Sequence, residues 1–395
     1  MRTASVRIAL RSLAVVLSLC VIFTLIPART CLALTSSGQC GENLYWEISG
    51  SELKITGYGD MYNFGYDEKK NLNVPWADYA PHISSVVFIG NSNGIATSIG
   101  DYAFYGFNSL TSFAVPYSVT SIGRYAFAQC KNLKEITNTA NVLTIGDNVF
   151  SGCERLNSIP ALNSVEFIGN NAFSGCMGLT SVVIPNGVTT IGAGAFSKCY
   201  NLNDVTVPDS VKTIGRKAFW QCTSLTEVRL PARMRSLSPY VFSECYALAK
   251  ITVPKGVKTI GKCAFSYCVS LKSIFIPGSV TVIGESAFSH CKALTRVNGC
   301  AKIKSIGARA FAGCTRLGSM TIPSTSLKKI GAFAFSGDRY LKTLNINTSK
   351  LTKSSVKNSL NGSRVKTVKN RKMKVKKSKK IFNKSVVGRK VNVKK

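Results

Sequence analysis

Leu179-Thr180-Ser181-Val182-Val183-Ile184-Pro185, continued by Val188-Thr189-Thr190-Ile191-Gly192 and Ala195-Phe196-Ser197-Lys198-Cys199, decides the fold because the whole stretch recurs every 23 residues. Ile-Gly pairs begin at Ile99, Ile122, Ile145, Ile168, Ile191 and Ile214, and resume at Ile260, Ile283 and Ile306 after Leu237-Ser238 takes the same place. A last pair at Ile330 follows one inserted residue. Five residues beyond each of these comes a phenylalanine, from Phe104 to Phe335. Three further on comes cysteine, from Cys130 to Cys314, with Phe107 and Asp338 in its place in the first and last copies. A unit this short cannot enclose a core, so its copies must stack and bury their apolar positions against one another.

Within one unit, Leu179, Val182 and Ile184 alternate as a strand with one buried face, and Pro185 stops it. Val188 to Gly192 makes a return edge, and Ala195 to Cys199 is expected to form a short helical turn on the outside. The I-P-x-x-V-x-x-I-G-x-x-A-F-x-x-C pattern resembles the BspA-like leucine-rich repeats of bacterial surface proteins. The expected class is therefore α/β: a right-handed leucine-rich-repeat solenoid of about eleven coils, one parallel strand per coil. The resemblance implies adhesion to host matrix proteins or to other cells, and repeats without enzymatic activity.

The divisions that follow are a signal peptide over 1–33, an amino-terminal β-rich cap over 34–82, the array over 83–346 and a basic carboxyl-terminal capping segment over 347–395. Arg2, Arg7 and Arg11 precede an uncharged run from Leu13 to Ile26, and Cys31-Leu32-Ala33 offers small residues to a signal peptidase. A 14-residue run spans only about 21 Å as a helix, short of the roughly 30 Å hydrocarbon layer. The expectation is export, with a secreted or surface-associated chain that keeps no stable membrane insertion. Cys40 to Trp46, Leu53 to Met61 and Pro75-Trp76 resemble the cap that precedes such arrays.

The net charge of +33 comes from 51 basic and 18 acidic residues, and it is uneven: from residue 339 to the end there are 20 basic residues and no acidic one. Such a surplus points to polyanions. Two histidines, His82 and His290, leave almost no material for histidine catalysis or a His-rich metal site. No cofactor, metal or catalytic residue is expected. Gly256 to Lys262 matches a P-loop until Cys263 replaces the needed Ser or Thr, and its glycines are the repeat's own turn positions. Gly90-Asn91-Ser92-Asn93-Gly94 matches a nucleophile elbow but reads as a loop. His290 falls in a surface column and reads as solvated. One cysteine per coil gives parallel side chains that cannot pair completely, so the column reads as buried thiols packed as small hydrophobes.

Function must then lie on surfaces read by column. If Val182 and its equivalents point inward, their neighbours face out on the concave face, where Glu227, Arg229, Lys250, Phe275 and Arg296 assemble an aromatic among mixed charges, either a protein-binding composition or a solvated strand face with one exposed phenylalanine. Two residues before each edge isoleucine a second column reads Lys212, Arg235, Lys258, Thr281, Lys304 and Lys328. Stacked at strand spacing these bases make a ridge roughly 30 Å long, suited to an anionic wall polymer or glycan. The other reading, which the composition favours slightly, is a solvated positive edge that keeps the array soluble. In the tail, Leu341, Leu344 and Ile346 continue the strand pattern, Lys372 to Lys376 alternates, and Lys379 to Phe382 can begin a helix. Lys374, Lys376, Lys377, Lys379 and Lys380 there are further polyanion candidates. An exported chain without a nucleic-acid module leaves nucleic acid outside the expected partners.

Overall fold

The computed structural model describes residues 36–395; the expected signal peptide lies outside the described residues. Three backbone ladders, each interrupted in places, join successive coils. In the first, strands such as Ser181–Val183, Asp204–Thr206 and Glu227–Arg229 pair in parallel with Val182 opposite Val205 and Val205 opposite Val228. The middle residue is buried and the outer two are exposed, as period-two alternation requires. In the second, the two-residue edges Phe167–Ile168, Thr190–Ile191 and Thr213–Ile214 pair isoleucine over isoleucine.

The third ladder replaces the expected helical turn. Gly194, Phe196 and Lys198 donate their N–H groups to Arg216, Ala218 and Trp220 of the following coil at 2.7–2.8 Å, while Ser197 and Cys199 bond back three residues. This alternation needs a left-handed residue at two places in each coil. Gly194 and Lys198 (φ 65° and 61°) are followed by Lys217 and Gln221, then by Tyr240 and Glu244. Most of these are not glycine, although the left-handed region disfavours a Cβ. The inter-coil bonds hold them there.

The core is a set of one-dimensional stacks. From Phe104 to Phe335 the rings of consecutive coils lie 5.3–5.8 Å apart, and from Phe173 onward their planes agree to within 11°. These rings are fully buried, each contributing about 1.5–3 kcal/mol of transfer free energy. The cap closes the first end: strands Gly41–Ser49 and Glu52–Met61 form an antiparallel hairpin, and Ser85–Ile89 pairs parallel with the latter. Buried Trp76 stacks on Phe104 at 6.2 Å and donates its indole N–H to the Ala103 carbonyl at 2.6 Å.

At the other end the ladder does not stop at Ile346. Thr343 pairs with Thr367, and Thr367 with Asn392, so the basic segment supplies two more coils and brings the solenoid to about 13 turns. Among the described residues, helix is confined to this region, at Val375–Ile381 and Lys384–Val387, apart from single 3-10 turns. The alternating Lys372 to Lys376 is not a strand; it leads into the first of these helices, which starts before Lys379. The place beside Thr367–Asn370 is taken instead by Asn392–Lys394.

Candidate functional site

All five strand-face residues expected to bind a partner, Glu227, Arg229, Lys250, Phe275 and Arg296, are exposed on one face. Glu227, Lys250 and Arg296 stand in the column of Ser181, and Arg229 and Phe275 in that of Val183. Lys250 and Glu227 pair at 3.0 Å, so these two charges largely neutralise one another, and an exposed pair of this kind adds little stability. Phe275 is 61% exposed, between coils whose equivalent positions hold Thr252 and Asn298. The strand ladder lapses between Ile251 and Ser273, so Glu227, Arg229 and Lys250 end one sheet while Phe275 and Arg296 open the next.

The edge column is also exposed throughout its basic members, Lys212, Arg235, Lys258, Lys304 and Lys328. Lys258 N–H donates to Arg235 O, Thr281 to Lys258, Lys304 to Thr281 and Lys328 to Lys304, at 2.7–2.8 Å, which places these side chains in one file at coil spacing. None of them is in an ion pair among the described residues. Towards the amino end this column carries no base: it reads Thr120, Leu143, Glu166 and Thr189, with Leu143 54% exposed and Phe167, beside Glu166, 58% exposed. Lys374 caps the helix Val375–Ile381; Lys376, Lys377, Lys379 and Lys380 project to solvent from it while Ser378 and Ile381 face inward.

The sequence motifs with catalytic look-alikes are absorbed by the repeat. Gly261 packs on Leu237 O, and Lys262 pairs with Glu285 at 3.1 Å. Asn91 and Gly94 exchange backbone bonds in a tight turn around Ser92. His290 is not solvated as expected: it is half-buried, stacked on Tyr267 at 4.4 Å, with Nδ1 2.8 Å from Ser289 Oγ, and burial lowers its pKa. All twelve described cysteines are free, and burial pushes the Cys199 thiol up to about 12. Cys263 alone is half-exposed, in one of the left-handed columns.

One cluster escaped column reading. Trp220 stands where other coils have Ser or Ala, apart from Tyr105. Its ring lies 4.6 Å from Lys217 Nζ and 5.6 Å from Lys198 Nζ, and its indole N–H donates to Glu244, which also accepts from Gln221 and Tyr246. A tryptophan in a small-residue column was the available signal.

The model of the BspA type leucine rich repeat region matches residues 97–226, 166–295 and 283–387, most of the chain. The chain belongs to this family. No curated protein matches it. Among solved structures, a leucine-rich repeat protein from Bacteroides ovatus is similar over 90% of this chain and 100% of its own, with 22% identity and a TM-score of 0.65. A leucine rich cell surface protein from Faecalibacterium prausnitzii is 27% identical, with 85% and 95% covered and a TM-score of 0.51. The pneumococcal vaccine antigen PcpA is 18% identical, with 91% and 98% covered and the same TM-score. These likenesses bear on the scaffold. Among the described residues, no helix of this BspA-type protein is long and apolar enough to cross a membrane.

Proposed function

We propose that this BspA-type protein is a noncatalytic binding module displayed outside the bacterial cell, with its strand face as the side that takes a partner protein. The observation that carries this reading is Phe275: a large ring left 61% exposed on a regular strand face, flanked two coils earlier by Arg229 and one coil later by Arg296, neither in an ion pair among the described residues. Aromatic and arginine side chains are the groups that dominate binding energies at interfaces. The cell-surface relative from Faecalibacterium supports the location. The test is binding to a panel of host matrix and cell-surface proteins. Replacing Arg229, Phe275 and Arg296 together by alanine should weaken an identified complex at least tenfold and leave unfolding unchanged; unchanged affinity overturns the reading.

A second reading, retention on an anionic wall polymer or glycan, is favoured by the file of unpaired bases on the edge and the exposed tail lysines. Lys374, Lys376, Lys377, Lys379 and Lys380 changed to Gln should elute from purified wall or heparin at lower salt, because exposed charges act through a screened field. Elution at the parent's salt concentration removes the tail from this role.

A further inference from the structure

The edge glycines leave no room for a side chain. A Cβ added at Gly192, Gly215, Gly284, Gly307 or Gly331 would lie 2.3–2.7 Å from backbone atoms of the preceding coil. Ser238 occupies this position with a Cβ. At ladder spacing it would collide, so the coil that carries it is lifted from its predecessor at this edge.

The hydrogen bonds record the displacement. In neighbouring coils Lys212 N–H donates to Thr189 O and Gly215 N–H to Ile191 O, both at 2.8 Å, and Lys258 and Gly261 bond likewise to Arg235 and Leu237 at 2.8 and 2.9 Å. The amides of Arg235 and Ser238 make no such bond to the coil before them, and Ile214 is not paired with Leu237. Ser238 Oγ takes up the Ile214 carbonyl at 2.5 Å. The other two ladders stay shut: Asp204, Glu227 and Lys250 remain in register, and Phe219 N–H reaches Val241 O at 3.0 Å.

The opening is a cleft of about 490 Å³ lined by Lys212, Arg233, Arg235, Ser236 and Ser238 along with Thr213 and Ile214. None of its three bases is in an ion pair among the described residues. The acid of the adjoining turn, Asp209, accepts from Ala232 N–H at 3.3 Å. A lapse in this ladder is not itself a site: the edge also lapses between Ile145 and Ile168, where Leu143, Ser164 and Glu166 hold the equivalent places. Of these two lapses, the one at Ser238 combines cations with free amides.

We propose that the Ser238 cleft binds a tetrahedral oxyanion, a phosphate or sulfate ester carried on a polymer. Two guanidinium forks and an ammonium supply charge-assisted donors, and the unpaired Arg235 and Ser238 amides add backbone donors of the kind that line anion nests. The cleft rests on the anionic-polymer reading of the edge and gives it one specific seat rather than a diffuse field.

Titration calorimetry of the full chain at 0.15 M salt, with a short polyphosphate and with a heparin oligosaccharide of matched charge, tests this. Ser238→Gly keeps every charge but lets the coil close, so affinity should fall at least tenfold for the polymer that binds, with no loss of thermal stability. Arg233→Gln should weaken binding similarly, while Lys304→Gln leaves it within twofold. The polymer whose binding is lost names phosphate or sulfate as the source. If Ser238→Gly binds like the parent while Lys304→Gln weakens binding, the cleft is wrong and the extended edge stands. If the parent binds neither polymer, both fail.

Discussion

In the coils from Phe127 to Cys314 each of the nine cysteines of the repeat column donates its thiol to a phenylalanine carbonyl of the preceding coil, at 3.0–3.2 Å. In the coil of Phe335 the same position holds Asp338, equally buried, with neither carboxyl oxygen hydrogen-bonded among the described residues. Burial, reinforced by neighbouring Cys314, pushes the Asp338 carboxyl up to about 10, so it is held in its neutral form. The strand ladder runs on through both regions, while the two-residue edge ladder ends at Lys329–Ile330. One scaffold therefore carries a satisfied interior along most of its length and a costly one where the two basic coils join, and stability should be uneven from end to end.

The largest effect expected is in the satisfied region. Phe219 has stacked neighbours 5.5 Å away on both sides, so Phe219→Ala should cost about 3–5 kcal/mol in denaturant unfolding. Phe335, with a stacked ring on one side only, should lose less. Equal losses would break the contrast between interior and end.

Asp338→Cys should move the terminal coils towards the central ones. The unfolded chain releases this proton near pH 4 and the folded chain near 10, so the fold keeps its full stability below pH 4 and loses it progressively as pH rises towards 10. At pH 7 the penalty is at most about 4 kcal/mol, at roughly 1.4 kcal/mol per pH unit. The substitution should raise the melting temperature at pH 7, leave it little changed at pH 3.5, and slow amide exchange after residue 341 more than before residue 314. A gain independent of pH would show that shape, not ionisation, sets the difference.

Smaller changes test the thiol column and the surface. Cys222→Ala removes a donor from Phe196 O and opens a small void, an expected cost of about 1–2 kcal/mol. Thiol counting on denatured, unreduced protein should find all twelve described cysteines free; four or more disulfides would overturn the column. Lys250→Ala breaks only an exposed pair with Glu227 and should shift stability by no more than about 0.5 kcal/mol.

Much of this was legible in one coil. Alternation from Leu179 to Ile184 placed Val182 inside and Phe275 outside, because a strand has two faces and one is paired with the core. The missed pieces share a cause. The Lys198 and His290 positions look like free surface columns because any residue type occurs there, yet each is held left-handed by bonds to the next coil. The tail lost its repeat motif but kept Leu344, Val368 and Val393 in line, spacings of 24 and 25 that a strict 23-residue search passes over.

By itself the sequence determined the repeat, the stacked phenylalanine and cysteine columns, the outward side of each strand and the file of bases on the edge, because these follow from side-chain identity and period alone. The tertiary structure decided the direction of the inter-coil bonds, the two left-handed residues per coil, the two extra coils at the end and the cleft at Ser238. Each of these depends on how closely one coil's backbone approaches the next. A missing glycine is visible in the sequence, but only the 2.3–2.7 Å clearance at its neighbours turns that absence into a gap.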